Sequence, residues 1–249
     1  MTAEITRPFL PFTKWDRNFF LIMLGLILTG IVAGFGWDII DRVSHHTANW
    51  PILVHIHAAA FVTWLALLAT QITLVRTGNL ALHKRLGLFG AGWAVVMLVL
   101  AISVSWYMDI RSLGTKEADP SFLSVQLDDI ILFPCLVTAG LLMRNRDPSA
   151  HKRLLLLATI AISDAGFGRL GFVLVPNAFG HGFWPFYIAA YAGPTLLVLA
   201  MGAYDFITRR RVHPAWVLGG GAIILGEITA ALLYVSPWWK PVALRLLGH

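Results

Sequence analysis

Charge is what this sequence has least of: 13% of its residues are Asp, Glu, Lys or Arg, about half the share found in a soluble domain. Cysteine is nearly absent, with Cys135 standing alone. A single cysteine excludes an internal disulfide, a CxxC pair and a cysteine-rich metal centre. There is no Walker loop, nucleophile elbow, HExxH or dinucleotide fingerprint. The familiar signatures of phosphate cradling, acyl transfer and zinc proteolysis are therefore missing. The net charge of +6 would suit nucleic acid, but the cations lie in short loops between apolar runs, so nucleic acid is not an expected partner.

What fills the chain is apolar: 57% of residues are hydrophobic, in runs of about 20. That pattern predicts an all-α, polytopic membrane protein in one domain over residues 1–249. Seven spans are expected, over about 18–37, 52–75, 86–108, 122–143, 154–175, 182–204 and 215–235. Charges interrupt the fourth (Asp128, Asp129) and the fifth (Asp164, Arg169). Prolines interrupt the fourth (Pro134) and the sixth (Pro185, Pro194), and the seventh carries Gly219-Gly220-Gly221 and Glu227. The first run is too long for a signal-peptide core and no clean small-x-small site follows it, so it reads as an anchor.

Thirteen Lys and Arg fall on one side of these spans and five on the other. The positive-inside rule then puts the N-terminus in the cytoplasm and the C-terminus outside, in a bacterial inner membrane. The basic loops repeat a motif. His83-Lys84-Arg85-Leu86 opens the third span, His151-Lys152-Arg153-Leu154 the fifth and Arg211-Val212-His213-Pro214 the seventh. Three hairpins sharing one turn suggest duplication, with the first span added. Trp15, Trp50, Trp238 and Trp239 stand where an aromatic belt is expected. The motif histidines sit beside Lys and Arg at the cytoplasmic border, where they would snorkel towards lipid headgroups.

In this topology His55 and His57 lie just below the outer surface, with Asp128 and Asp129 at similar depth. Asp164 and Glu227 fall near the midplane, with Arg169 above the former and His181 in the outer loop near Tyr187 and Tyr191. An ionisable group in hydrocarbon costs a few kcal/mol, so such groups face a bundle interior or a cavity. Histidine with carboxylate is ordinary coordination for Zn²⁺ or Fe²⁺. His55 and His57 are roughly 200° apart on a helix, so both cannot face one centre. His57 shares its face with Phe61, Trp64, Leu68 and Gln71, and is favoured as the interior one. His55 shares a small-residue packing face with Ala58, Ala59, Val62 and Ala66. Of Asp128 and Asp129, one is expected to point inwards. Asp164 and Arg169 have an equally good reading as ion pairs that pin helices together.

The outer histidines, Trp64, Gln71 and the His-basic-basic-Leu turns resemble a group of uncharacterised bacterial seven-helix membrane proteins, from about Trp50 onward. The resemblance implies a membrane fold and no particular activity. Retinal proteins need a lysine in the last span, which has none here. Seven-helix ceramidase-like hydrolases need an HxxxH pair there, and only Glu227 is present. The b561 cytochromes place histidine pairs well inside their helices.

The leading expectation is an outward-opening pocket that binds a metal ion or haem for redox or metal-handling chemistry. Its ligands would be His55 or His57, His181, and Asp128 or Asp129. Asp164, Glu227 and Arg169 would serve as catalytic, proton-accepting or ion-pairing groups. Two alternatives stand beside it: a metal-dependent intramembrane lipid hydrolase, and a small proton-coupled transporter that uses Asp164, Arg169 and Glu227 as its relay. Expected partners are membrane lipids and a small-molecule or lipid substrate.

Overall fold

The computed structural model describes residues 9, 10, 12–175 and 182–249. The protein is all-α, 82% helical, with no strand among the described residues. The helices are α1 (Asp16–Ser44), α2 (Ile52–Arg76), α3 (Leu80–Ser112), α4 (Leu123–Met143), α5 (Pro148–Ala161), α6 (Asp164–Leu174), α7 (Phe183–Arg209), α8 (Pro214–Val235) and α9 (Trp239–Leu246). Six are long and apolar enough to cross a membrane, and α5 with α6 makes a seventh if the bent pair is one span.

Several helices outrun their expected spans, because charged ends stay helical when their charges find partners. Helix α1 has 29 residues, about 43 Å at 1.5 Å per residue and longer than a hydrocarbon core of about 30 Å. Its far end is held by an Asp38–Arg42 pair at i, i+4, 3.0 Å apart. Helix α3 starts six residues before the expected 86 because Asn79 caps it, its Oδ1 accepting from Leu82 N at 3.2 Å. Helix α7 runs on to Arg209 because Asp205 and Arg209 are buried partners one turn apart. The tail folds into α9, and Trp239 is buried against Ser121, to whose carbonyl its indole donates at 3.0 Å. Only Trp238 of that pair is exposed as a belt residue would be.

The fifth span breaks. Helices α5 and α6 meet at 43° across Ile162 and Ser163. Ser163 turns its hydroxyl back onto Ile160 O at 2.6 Å, and Asp164 begins a new helix. A serine bonding its own backbone competes with the helical ladder. Helix α5 sits at the centre and packs on α4, α8, α7 and α1, while α1, α6, α7, α8, α4, α3 and α2 follow one another around it. The α2–α3 hairpin lies at the edge and turns Val62, Leu88 and Val95 outwards. The small-residue face of His55 also lies exposed there rather than packed, because α3 covers a different side of α2.

Without a hydrophobic drive between helices in lipid, close packing needs small residues. Helix α6 supplies them on two sides. A Cβ on Gly34 would come within 1.9 Å of Gly166 O, and one on Gly171 within 1.9 Å of Ala189 O. These contacts clamp α6 between α1 and α7. Gly34→Ala should therefore lower stability in detergent by about 1–3 kcal/mol through overpacking. Gly36→Ala, whose Cβ would meet nothing within 4 Å, should not. Thermal unfolding of the two variants followed by circular dichroism decides it, and equal melting would count against the clamp.

Candidate functional site

Two features stand out inside the bundle. The first is a group of four acids: Asp128 and Asp129 from α4, Asp164 at the start of α6 and Glu227 from α8. Asp164 and Glu227 are buried, and the other two are half-buried. The carboxyls of Asp129 and Asp164 lie close enough to share a proton. Two carboxyls can hydrogen-bond to each other only if one of them carries the proton. Glu227 Oε2 accepts from Thr195 Oγ1 at 2.6 Å and from Tyr187 OH at 3.1 Å. Asp128 fits because its neighbour on α8 is Gly226, where a Cβ would lie 2.3 Å from Asp128 Oδ1. Asp164 Oδ1, Glu227 Oε1 and the Tyr191 hydroxyl are all buried without a protein partner.

Local sequence explains the shape. Pro134 in α4 and Pro194 in α7 each remove a backbone donor within a span. Pro194 directly precedes Thr195, so the loosened turn of α7 is the one that meets Glu227. The α5–α6 break puts Asp164 at a helix N-terminus, the end of a helix dipole that favours negative charge.

The expected site residues separate. Asp128, Asp129, Asp164 and Glu227 come together, and both aspartates of α4 take part instead of one. His57 is half-buried and its Nδ1 has no partner among the described residues. His55 is exposed and lies edge-on to Trp50 with ring centres 6.5 Å apart. Arg169 turns to α1, where it pairs with Asp38 at 3.5 Å and lies 4.1 Å over the Phe35 ring. It does not bond the Asp164 carboxyl. His181 falls outside the described residues. Among the described residues, no three His, Cys, Asp or Glu side chains are grouped as a metal ion requires. Thr195 was the missed member. A hydroxyl one residue past a mid-span proline is its only trace in the sequence.

The second feature lies at the basic face. A cavity of about 1040 Å³ opens between α1, α2, α3, α4 and α5. Its walls include Trp64, Leu68, Gln71, His83, Gly87 and His151, and its rim carries Arg76, Lys84, Arg144 and Lys152. His83 and His151 therefore turn inwards and do not snorkel. Trp64 forms part of the cavity wall and reaches into the core. Its indole packs edge-on to Phe133, ring centres 5.2 Å apart, and donates to Thr159 Oγ1 at 3.1 Å.

The three basic turns have unequal fates. Arg85 is exposed, whereas Arg153 at the matching position of the next turn is buried, its Nε donating to Asp205 Oδ2 at 2.8 Å. Arg209 Nη2 meets both oxygens of Asp16 at 2.7 and 2.8 Å. Lys152 also reaches Asp16, and Phe9 lies between the two guanidinium groups, 5.0 Å from each. His213 caps α8, its Nδ1 accepting from Ala215 N at 3.0 Å. Burial and the Arg153 guanidinium hold this imidazole below its usual range, which keeps that nitrogen free to accept.

No family model matches the chain, and neither curated proteins nor solved structures show significant similarity to it.

The ion pairs make a test of their own. Arg153 and Asp205 side chains are 1% and 0% exposed, so Arg153→Met should cost about 3 kcal/mol by leaving a buried carboxylate with only its longer, 3.4 Å contacts to Arg209 and the His213 amide. Arg153→Met with Asp205→Leu should cost less than Arg153→Met alone. A double-mutant cycle on detergent unfolding checks this, and additive losses would show that the two charges are not coupled.

Proposed function

We propose that this chain is a multi-pass membrane protein that handles protons, with the four-acid group as its proton-binding site. The grouping of four acids inside the bundle, with no ion pair to any of them among the described residues, carries the reading. A buried acid serving only to pin helices would be expected to meet a cation, as Asp16 and Asp205 do at the basic face. The four acids meet each other, two tyrosines and a threonine instead. Such a group binds protons in place of cations and passes them among neighbouring oxygens.

The break beside Asp164 supports a protein that moves. Discontinuous helices near the midplane are where carriers place their coupling groups, because the freed backbone ends meet the ion there. The α5–α6 junction is such a place, and the prolines of α4 and α7 lie at neighbouring levels. This favours the small proton-coupled carrier over the intramembrane hydrolase, whose mechanism needs a metal-bound water. Among the four, Asp164 and Asp129 would hold the shared proton. Glu227 would exchange with them, with Thr195 and Tyr187 fixing its rotamer. Arg169 would stabilise the α1–α6 contact from outside the relay. The basic loops would face the cytoplasm.

Infrared pH-difference spectra of the reconstituted protein should show the C=O band of protonated buried carboxyls, diminished in Asp164→Asn and in Glu227→Gln. The same variants should abolish pH-driven proton flux in vesicles loaded with a pH-sensitive dye, while their melting stays close to the parent's. Two stable variants with parental spectra and parental flux would overturn the reading.

A further inference from the structure

We infer that the cavity at the basic face is a haem site, with His83 and His151 as the two axial ligands. The inference goes beyond the proton reading and does not depend on it.

The imidazoles come from equivalent places, the first turns of α3 and α5, four residues into each helix. Their ring centres are 6.4 Å apart and their planes cross at 84°. An iron atom bound on opposite sides by two imidazoles at about 2 Å each would separate the ring centres by about 6 Å. Perpendicular planes are compatible with that axis, since each plane need only contain it.

The His151 ring is prepared for ligation, and the helix turn that carries His83 is held in place. His151 Nδ1 lies 2.8 Å from Gly140 O. That carbonyl can only accept, so Nδ1 carries the proton and Nε2 keeps its lone pair. A ring nitrogen bonded to a backbone carbonyl is the usual second support of a metal-bound histidine. The first turn of α3 is pinned by Gln71, whose amide donates to the His83 carbonyl at 3.2 Å. His83 Nδ1 is enclosed without a partner. Nε2 of both rings has no protein hydrogen-bond partner among the described residues. His213, the third histidine of the repeated turns, is committed to its cap and to Asp147, 3.3 Å away.

The surroundings fit a large, flat, dianionic ligand better than a bare ion. Two imidazoles do not complete a coordination sphere, and no third His, Cys, Asp or Glu joins them in a metal-binding group among the described residues. A porphyrin brings the other four nitrogen donors itself. One turn beyond His83 the Gln71 amide lies over Gly87, and further along α3 the wall is Gly90 and Ala91, with open space above Gly90. The cavity's 1040 Å³ is at the upper end of the range for cofactor pockets. Leu68, Ile72, Val137 and Leu155 supply apolar wall for a macrocycle. Lys84 and Arg144 on the rim have no ion-pair partner among the described residues. They suit the two propionates, which point out of an apolar slot towards water. Six-coordinate iron has no open position, so the site suits electron exchange more than binding of a gas.

The test is haemin titration of the full-length protein in detergent, read by absorbance before and after dithionite. One haemin per chain should bind with a six-coordinate, low-spin spectrum that carbon monoxide does not change. His83→Gly and His151→Gly should each weaken binding by about 10–100-fold or turn the spectrum high-spin. Added imidazole should restore the low-spin form in either variant, which a purely structural role for the rings would not produce. His55→Ala should behave as the parent. Three results would overturn the assignment: a folded, monodisperse parent that takes up no stoichiometric haemin; a spectrum unchanged in both glycine variants; or an anionic phospholipid found in the cavity that haemin does not displace. None of these readouts depends on the carboxyl bands or proton flux of the acid group.

Discussion

A charge removed from water must be matched by another charge or by a proton, and the bundle depends on how that rule is met at its basic face. Asp16 and Asp205 receive Arg209, Arg153 and Lys152 there, at the start of α1, the end of α7 and the start of α5. Each ion alone would cost several kcal/mol in this setting, and together they are matched. The result is directional. Three helices far apart in sequence must end at one level, and α8 follows because the His213 amide lies 3.4 Å from Asp205 Oδ2 and its ring caps the helix. The helices that frame both interior features are thus anchored at one end.

The same rule is met differently in the middle of the molecule. Around Asp164 no cation bonds the carboxyls, because Arg169 is taken by Asp38 and Phe35 on α1. What remains is oxygen facing oxygen, which only protons reconcile. On the proposed reading, one bundle holds an ion-paired cluster, which resists change, and a group of acids that shares protons, which changes state whenever a proton arrives or leaves. Rigidity at one level and lability at another is an arrangement suited to a membrane protein that couples proton movement to something else.

Much of this was legible in the sequence, and the rest was hidden for identifiable reasons. Apolar run length decided the spans, since hydrocarbon thickness is fixed and few charges interrupt the runs. Helix ends were misjudged wherever a charged residue found a partner, as at Asp38 and Asp205, because pairing is a tertiary event that span length cannot show. The four acids were legible because a carboxyl inside an apolar run demands an interior position. Their mutual contact was not, since it depends on the break after Ala161 and on Gly226 making room for Asp128. The motif histidines were misread. Flanked by Lys and Arg, they read as headgroup contacts, but the helix turn that carries Lys84 outwards carries His83 inwards. Equal sequence at Arg85 and Arg153 gave opposite burial, because only α5 sits at the centre.

Helix α5 is the element through which the two interior features communicate. It begins with His151 on the cavity and Arg153 on the ion pairs, carries Thr159 beneath the Trp64 indole, and ends at the break before Asp164. From Thr159 to Asp164 is five residues, about 7.5 Å along a helix axis. A change of charge at a cofactor held by His151 would therefore act on a helix whose far end adjoins the acid group. Trp64, Phe133 and Leu157 belong to the apolar core of the same bundle. Such a core lets charges within the bundle feel each other more strongly than water would. If both proposals hold, an electron arriving on the cavity side would favour a proton on the acid side, with the bent helix as the mechanical link. In that arrangement α5 must be both the best-anchored helix at its start and the interrupted one at its end, since anchoring keeps the ligand in place and the break confines the response to Asp164.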